Sequence, residues 1–466
     1  MQILLATVQV LLAGAVTIHV LLRKSDVRSA LGWIGVAWLS PVLGAVLYYL
    51  FGINRVTRRA LHLGMPGRER GSVPGRLAGP EDVPNMRALA AASLRVTGSP
   101  LTGGNLVSLL QGGDEAYPAM LAAIHGAQHS IALASYIFRN DAVGNSFVEA
   151  LIEAQSRGIV VRVLLDGIGS GYIMPAVLRR LQAGGVPATR FLHTWVPWRM
   201  PFINMRNHKK LLIIDGATGF TGGINIGAEN SARLASQHRI DDVQARVEGP
   251  IVRHLMESFA DDWSFATGET LAEDIWWPDL ESKGAIPARG IGSGPDADLD
   301  KLETILGAAL AQARTRVRIV TPYFLPDQRL QFAMAQARLR GVVVEILLPA
   351  ESNWPFMDWA MHAHLRFFAD LPLGVHLSPP PFDHSKLMTL DGEWCLIGSS
   401  NWDTRSLRLN FEFDLECYDP ALTAELDALI DRKLARARSL SSEQLMSDPK
   451  WIQLRDAATR LLLPYL

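Results

Sequence analysis

"RNHKKLLIIDG" (residues 206–216) and "DHSKLMTLDG" (residues 383–392) spell His-x-Lys-x-x-x-x-Asp twice in one chain. Each copy runs from His-x-Lys into an apolar stretch, turns at Asp-Gly, continues through a second apolar stretch and ends in "GGIN" or "GSSN". In an extended strand residues two apart share a face, so His208 and Lys210 look into one cavity, as do His384 and Lys386. The offset of 176 positions from His208 to His384 also carries Lys210 to Lys386, Asp215 to Asp391, Gly222 to Gly398 and Asn225 to Asn401. Upstream, "SRGIVVRVLLDG" and "LRGVVVEILLPA" align with an offset of 183, so the connection into the motif differs by seven residues. A duplicated unit with one altered loop accounts for both offsets.

The surrounding sequence alternates helix and strand in the same order twice. "AYPAMLAAIHGAQHS", "IALASYIF", "NSFVEALIEAQSRG" and "IVVRVLLDG" read as helix, strand, helix and buried strand. "DKLETILGAALAQARTR", "VRIVTPYFL", "RLQFAMAQARLRG" and "VVVEILLPA" repeat that order. The fold class is therefore α/β: two pseudo-symmetric domains over residues 101–275 and 276–466, each a mixed sheet flanked by helices. Between Gly64 and Pro100 the chain is rich in Gly, Pro and Arg, and residues 61–100 read as a linker.

No charged side chain occurs from Met1 to Leu22, nor from Ser29 to Asn54. At about 1.5 Å per residue each run can cross a hydrocarbon core of about 30 Å. Residues 1–60 thus read as a transmembrane helical hairpin, with spans at about 2–22 and 30–53. The chain lacks the basic start and short apolar core of a signal peptide, so the hairpin reads as an uncleaved anchor. Arg23, Lys24 and Arg28 lie in the connection, against Arg55, Arg58, Arg59, Arg68 and Arg70 after the second run. The positive-inside tendency places the larger cluster, both termini and the catalytic part on the cytoplasmic side.

A formal charge of −1 over 466 residues provides no global basic field for nucleic acid. Cys395 and Cys417 cannot build a disulfide framework, and Cys395 in "WCLIG" reads as a buried structural thiol. Two imidazoles, two ammonium groups and two amides facing one cavity suit a phosphate. One imidazole can attack phosphorus while the other protonates the leaving oxygen and later deprotonates the incoming hydroxyl. A metal site is disfavoured, because Lys is an uncommon ligand and no carboxylate cluster lies near either His. No cofactor is called for. Asp215 and Asp391 join the candidate catalytic set, though an Asp before Gly serves equally well as a turn cap. Ser399, where the first copy has Gly223, either binds phosphate on one side only or caps a turn.

"HKKLLIIDGATGFTGGIN" and "HSKLMTLDGEWCLIGSSN" resemble the two HKD motifs of the phospholipase D superfamily. Within it, the double N-terminal run, "LFGINR", "GNLVSLLQGGDEAYPAML", "YIFRNDAVG", "LLDGIGS", "NWDTRSLRLNFEF" and the closing "LLPYL" resemble bacterial cardiolipin synthases nearly end to end. The resemblance implies two phospholipase D-like domains and transfer of a phosphatidyl group between two phosphatidylglycerol molecules, giving cardiolipin and glycerol through a phosphohistidine. By that analogy His208 is the nucleophile and His384 the acid and base, an order the near-symmetric repeat leaves open. Lys210, Lys386, Asn225, Asn401 and Ser399 would meet the phosphate. An acidic residue orients each histidine in the family; Glu412 fits the second motif and Asp242, or Asp241, the first. "HTWVPWRMPFINM", with Trp195, Trp198, Met200 and Phe202, "PPPF" and "NWPFMDW" suit a lipid-facing zone or, equally, packed loops. A membrane-bound hydrolase of phospholipid is the alternative function, and phosphatidylethanolamine an alternative second substrate.

Overall fold

The computed structural model describes residues 2–24, 27–52, 77–171, 175–193, 205–234, 238–295, 298–368, 371 and 373–462. Two compact units divide the chain: one at the N-terminus and one holding both motifs.

In the N-terminal unit, helix α1 (Gln2–Arg23) is apolar along its length, and its Ala6–Arg23 stretch alone among the described helices is long and apolar enough to cross a membrane. The second uncharged run, expected as one span over 30–53, is not a single helix. It forms α2 (Val27–Leu39) and α3 (Pro41–Leu47), then a π-helical turn over Tyr48–Gly52. The break falls at Ser40, whose φ of −144° and ψ of 81° leave the helical region. Pro41 has no N–H to continue the ladder and disfavours helical backbone in the residue before it. Val16, Val20, Ala37 and Tyr48 bury against one another. His19 Nδ1 meets the Tyr48 hydroxyl at 2.8 Å and Trp38 Nε1 donates to Thr17 Oγ1 at 3.1 Å, so the polar side chains of this apolar pair satisfy each other.

In the second unit the duplication is legible strand by strand. The first half has β1 (Leu101–Gln111), β2 (Ser130–Ser135), β3 (Val160–Asp166), β4 (Ala188–Phe191), β5 (Leu211–Ile214), β6 (Thr218–Gly222) and β7 (Val243–Glu248). The second has β8 (Ile286–Ser293), β9 (Arg316–Val320), β10 (Val343–Pro349), β11 (Gly374–Ser378), β12 (Leu387–Leu390), β13 (Trp394–Gly398) and β14 (Asn410–Cys417). Strand order is β4-β3-β2-β5-β6-β7-β1 in one half and β11-β10-β9-β12-β13-β14-β8 in the other, the first three parallel and the rest antiparallel in each. The parallel strands are joined by helices, among them α5 (Ala142–Ser156) and α8 (Gln328–Leu339), because a parallel return needs a crossover. Asp141 caps α5 through Gly144 N, and Asp327 caps α8 through Arg329 N and Leu330 N. Other helices used below are α4 (Gly113–Gly126), α6 (Val252–Thr267), α7 (Lys301–Gln312), α9 (Pro355–Leu365), α10 (Pro420–Leu434) and α11 (Lys450–Leu462).

The halves join where β1 pairs with β8, through Ile286↔Asn105 and Ala288↔Thr102. Two short parallel ribbons tie them a second time: Arg206–Asn207 pairs with the start of β14, and Phe382–Asp383 with Ile240–Asp241. Each half keeps its own apolar core, one around Leu133, Phe147, Val163 and Leu212, the other around Ile319, Met334, Ile346 and Met388. The reading of 61–100 as linker needs correction beyond residue 77. Leu77–Ala78 pairs with the start of β1, and a 3-10 turn ending at Met86 followed by a helix over Arg87–Thr97 sends Met86, Leu89 and Ala90 into the second core. The helix follows directly on a stretch rich in Gly, Pro and Arg, and its inward face is mainly alanine, which declares itself as core only where α7 packs against it.

Candidate active site

The chain enters β5 and β12 through the two ribbons, and this places both histidines at the seam. His208 N donates to Phe411 O at 2.8 Å, and His384 N donates to Asp241 O at 2.8 Å. Alternation then turns His208 and Lys210 to one face of the first sheet, and His384 and Lys386 to the matching face of the second. On that same seam Glu412 in β14 and Asp242 before β7 occupy equivalent positions, since Gln244 opposes Gly222 as Asp414 opposes Gly398.

The carboxylate pairs are crossed between halves. His208 Nδ1 lies 2.8 Å from Glu412 Oε2 and 3.1 Å from Ser399 O, while His384 Nδ1 lies 2.7 Å from Asp242 Oδ2. Assignment of Glu412 to the second motif and Asp242 to the first, made from order along the chain, is therefore reversed. The ribbons cause the reversal, because each motif pairs with the strand of the opposite half. Of the two aspartates, Asp242 is the one at the ring; the Asp241 carboxylate pairs with Arg239 at 2.8 Å.

Lys210 Nζ donates to His208 O at 2.6 Å and stands over the Tyr136 ring at 5.3 Å; Tyr136 meets the His208 ring edge-on at 4.7 Å. Lys386 Nζ lies 2.9 Å from His384 Nδ1 and also donates to His384 O. Tyr136 opens the quoted stretch "YIFRNDAVG", but the sequence assigned it no role, because it comes from the loop after β2 and only the fold brings it to His208. Asn225 Oδ1 accepts from Ile137 N at 3.3 Å and so steadies that loop; Asn401 Oδ1 is buried with no hydrogen-bond partner.

Three sequence candidates that had both a chemical and a structural reading make structural contacts. Asp215 and Asp391 (φ 52° each) occupy the turns at the far ends of β5 and β12. Asp215 accepts from the amides of Gln128, His129 and Ser130, and Asp391 from those of Arg314, Thr315 and Arg316. They fasten β5 to β2 and β12 to β9, which is work at a distance from the histidines. The Ser399 hydroxyl is engaged in both directions by Phe413, accepting from its N at 3.0 Å and donating to its O at 3.3 Å, and is thereby tied to the strand rather than free for phosphate.

The Gly223/Ser399 difference then has a steric cause. A Cβ at Gly223 would meet the Asp242 carboxylate at 2.2 Å.

Burial dominates the electrostatics. It pushes His208 well below the ordinary imidazole range, helped by Lys210, Lys386 and His384, and brings His384 down to about 4, helped by Lys386. It lowers Lys210 to about 7 and Lys386 to about 8, and raises Glu412 and Asp414 to about 7. Burial thus disfavours charge of both signs here, and an anion among these groups would favour the protonated lysines and imidazoles.

Behind the site, the residues flanking each histidine point through the sheet and are fixed there by a charged residue on a helix. Asp262 in α6 accepts from Lys209 Nζ at 2.9 Å and Asn207 Nδ2 at 2.8 Å. In the second half the signs are exchanged: Lys433 in α10 donates to Asp383 Oδ2 at 2.6 Å and Ser385 Oγ at 3.3 Å. Trp195, Trp198, Met200 and Phe202, singled out for lipid contact, lie outside the described residues.

Comparison with known proteins accords with this geometry. Residues 120–263 and 306–434 match the family described as "Cardiolipin synthase, PLD-like domain", and residues 11–52 match "Phospholipase_D-nuclease N-terminal". The chain is 30% identical to the major cardiolipin synthase ClsA of Bacillus subtilis over 95% of each protein. It is also 30% identical to cardiolipin synthase A of Pseudomonas aeruginosa, over 100% of this chain and 96% of that one. Among solved structures it resembles phosphatidylserine synthase from Haemophilus influenzae, with a TM-score of 0.64 at 17% identity, covering 81% of this chain and 100% of that one. With its duplicated sheets, paired HKD motifs and crossed carboxylates, the chain belongs to the cardiolipin synthase family of phospholipase D-like phosphatidyltransferases.

Proposed function

We propose that this enzyme transfers a phosphatidyl group from one phosphatidylglycerol to another, releasing glycerol and forming cardiolipin through a phosphohistidine. Support comes from one observation above all: His208 and His384, each with Nδ1 held by a carboxylate, lie within electrostatic reach of each other with Lys210 and Lys386 beside them. With both Nδ1 atoms engaged, Nε2 is the reacting atom on each ring. His208 Nε2 attacks phosphorus, the bond from phosphorus to the glycerol oxygen breaks, and His384 Nε2–H delivers its proton to that oxygen. The hydroxyl of the second lipid then loses its proton to His384 and displaces His208 from phosphorus. One phosphodiester is made for each one broken. Lys210, Lys386 and the amides of Asn225 and Asn401 surround the phosphoryl oxygens where charge develops.

In this reading residues 101–275 and 276–466 are the two catalytic domains, and residues 1–60 are a multi-pass anchor in the bacterial inner membrane with the catalytic part in the cytoplasm. The test is incubation of the purified full chain with labelled phosphatidylglycerol in vesicles, followed by lipid chromatography. Cardiolipin and free glycerol are expected; phosphatidic acid as the main product overturns transfer in favour of hydrolysis. With a nitrophenyl phosphodiester, whose leaving group needs no proton, His384→Ala accumulates an acid-labile, alkali-stable phosphoenzyme and His208→Ala forms none. Label on His208→Ala and none on His384→Ala reverses the roles.

A further inference from the structure

Helix α11 presents a hydrocarbon stripe to solvent. Trp451 is 65% exposed, Leu454 71% and Leu461 70%, with exposed Ala457 and Ala458 between them. Spacings of three and four residues put these side chains on one face of the helix, along about 15 Å of its length. An amphipathic helix normally turns such a face into the protein. Here the opposite, polar face is the one packed inward: Asp456 is fully buried, bound by Arg366 at 2.9 Å and Arg455 at 2.7 Å.

The charges bordering the stripe are positive. Lys450 is exposed at the start of the helix, Arg460 is half-buried near its end, and the Arg455 guanidinium is sandwiched over Trp359 at 4.3 Å and Trp451 at 5.9 Å. The helix's own carboxylate, Asp456, is neutralised inside. An apolar face with tryptophan and a cationic border, and no exposed acid of its own helix, is complementary to an anionic bilayer at the level of its headgroups.

The stripe is also connected to the histidines. Trp359 belongs to α9, which begins directly after Trp354, itself 54% exposed. The neighbouring Asn353 accepts a hydrogen bond from the Tyr323 hydroxyl; the Tyr323 ring lies 6.4 Å from Phe382, and Phe382 lies 5.7 Å from the His384 ring. Trp354 thus stands at the end of a short chain of contacts from the site, and α11 lies beyond it on the same packed pair of helices.

We propose that α11 and Trp354 form an interfacial docking surface that seats the catalytic body on an anionic lipid bilayer, with Trp451, Leu454 and Leu461 entering the acyl boundary. The proposal rests on the lipid-transfer reading above, since a lipid substrate explains why such a surface is linked by a chain of contacts to His384. A bilayer accounts for all three features at once: the stripe, its cationic border and its link through α9 toward the site.

The test uses the full chain carrying Leu454→Cys labelled with a solvatochromic dye, because Cys395 and Cys417 are fully buried. Glu149→Cys on α5 is the control position. In phosphatidylglycerol vesicles with brominated acyl chains, the dye at 454 shifts to the blue and is quenched, whereas the dye at 149 is neither; phosphatidylcholine vesicles give a weaker effect at 454. Equal behaviour at the two positions overturns the proposal. So does a blue shift that grows with protein concentration in detergent alone, which identifies a second copy of the chain as the occupant. Joint replacement of Trp451, Leu454 and Leu461 by Ser raises the KM for phosphatidylglycerol in vesicles by about tenfold; an unchanged KM counts against docking. Quenching without cardiolipin formation upholds the surface and removes the transferase reading, and cardiolipin formation without quenching does the reverse.

Discussion

Lys210 is held where a charge is costly. Its ammonium has a carbonyl oxygen and an aromatic face as near neighbours, a second lysine in the same cavity, and burial that brings its pKa from 10.5 to about 7. Because the folded pKa lies below the unfolded one, the penalty is fully present below about pH 7 and is relieved as pH rises toward 10.5. Lys210→Met is therefore expected to stabilise the protein by on the order of a few kcal/mol at pH 7, with the advantage fading in alkali, while activity is lost; thermal melts across pH measure it. A variant less stable than the parent at pH 7 contradicts this account. The crossed carboxylates make a second expectation at this scale. Glu412→Gln should slow phosphoenzyme formation on His208 by about 10²-fold or more, although Glu412 belongs to the other motif's half. Asp242→Asn should leave phosphoenzyme formation from a nitrophenyl diester intact and slow transfer to the acceptor. Rapid-quench labelling separates the two steps, and the opposite pattern would show each carboxylate serving its own half.

Strands β5 and β12 are short, yet each is fixed on both faces and at both ends. Asp215 and Asp391 fasten the far ends to the neighbouring strand through three amides each, whereas Asp262 and Lys433 fasten the near ends through the residues beside the histidines. Removing Asp262 by Ala strands the buried Lys209 ammonium, at a cost of about 3–5 kcal/mol. The double change Lys209→Met, Asp262→Leu should recover most of that stability in urea denaturation, because it leaves no uncompensated charge. If the double variant is as unstable as the single one, the contact is not acting as an ion pair. Asp215→Ala should cost about 1–3 kcal/mol by leaving backbone donors unpaired, with no change in which histidine becomes labelled.

The whole molecule is a duplicated body with a helical N-terminal unit, and orientation belongs to this scale. The arginines that follow the second apolar run outnumber the basic residues in the short connection before it. Protease added to intact spheroplasts should therefore spare the catalytic body, and digestion would overturn the cytoplasmic assignment. Deleting residues 1–59 tests the docking surface as well. A truncated protein that still requires detergent has a second membrane contact, for which α11 is the candidate.

The repeated α/β order, the place of both His-x-Lys segments just ahead of β5 and β12 and the Asp-Gly turns were readable in the sequence, since each depends on periodicity, on glycine at left-handed backbone or on identities held at one offset. So was the uncharged character of the first 22 residues, which composition alone determines. Other features arise only where distant segments meet. The break at Ser40–Pro41 interrupts a run that hydropathy reads as continuous. The helix over Arg87–Thr97 owes its existence to the core that receives Met86 and Leu89. Tyr136 comes to His208, and Asp262 to Lys209, across separations that no local pattern encodes. Above all, the crossing of Glu412 to His208 and of Asp242 to His384 was decided by strand pairing at the seam. A sequence can name the residue types that a phosphoryl transfer needs, but hydrogen bonding between the two halves determines which carboxylate reaches which imidazole.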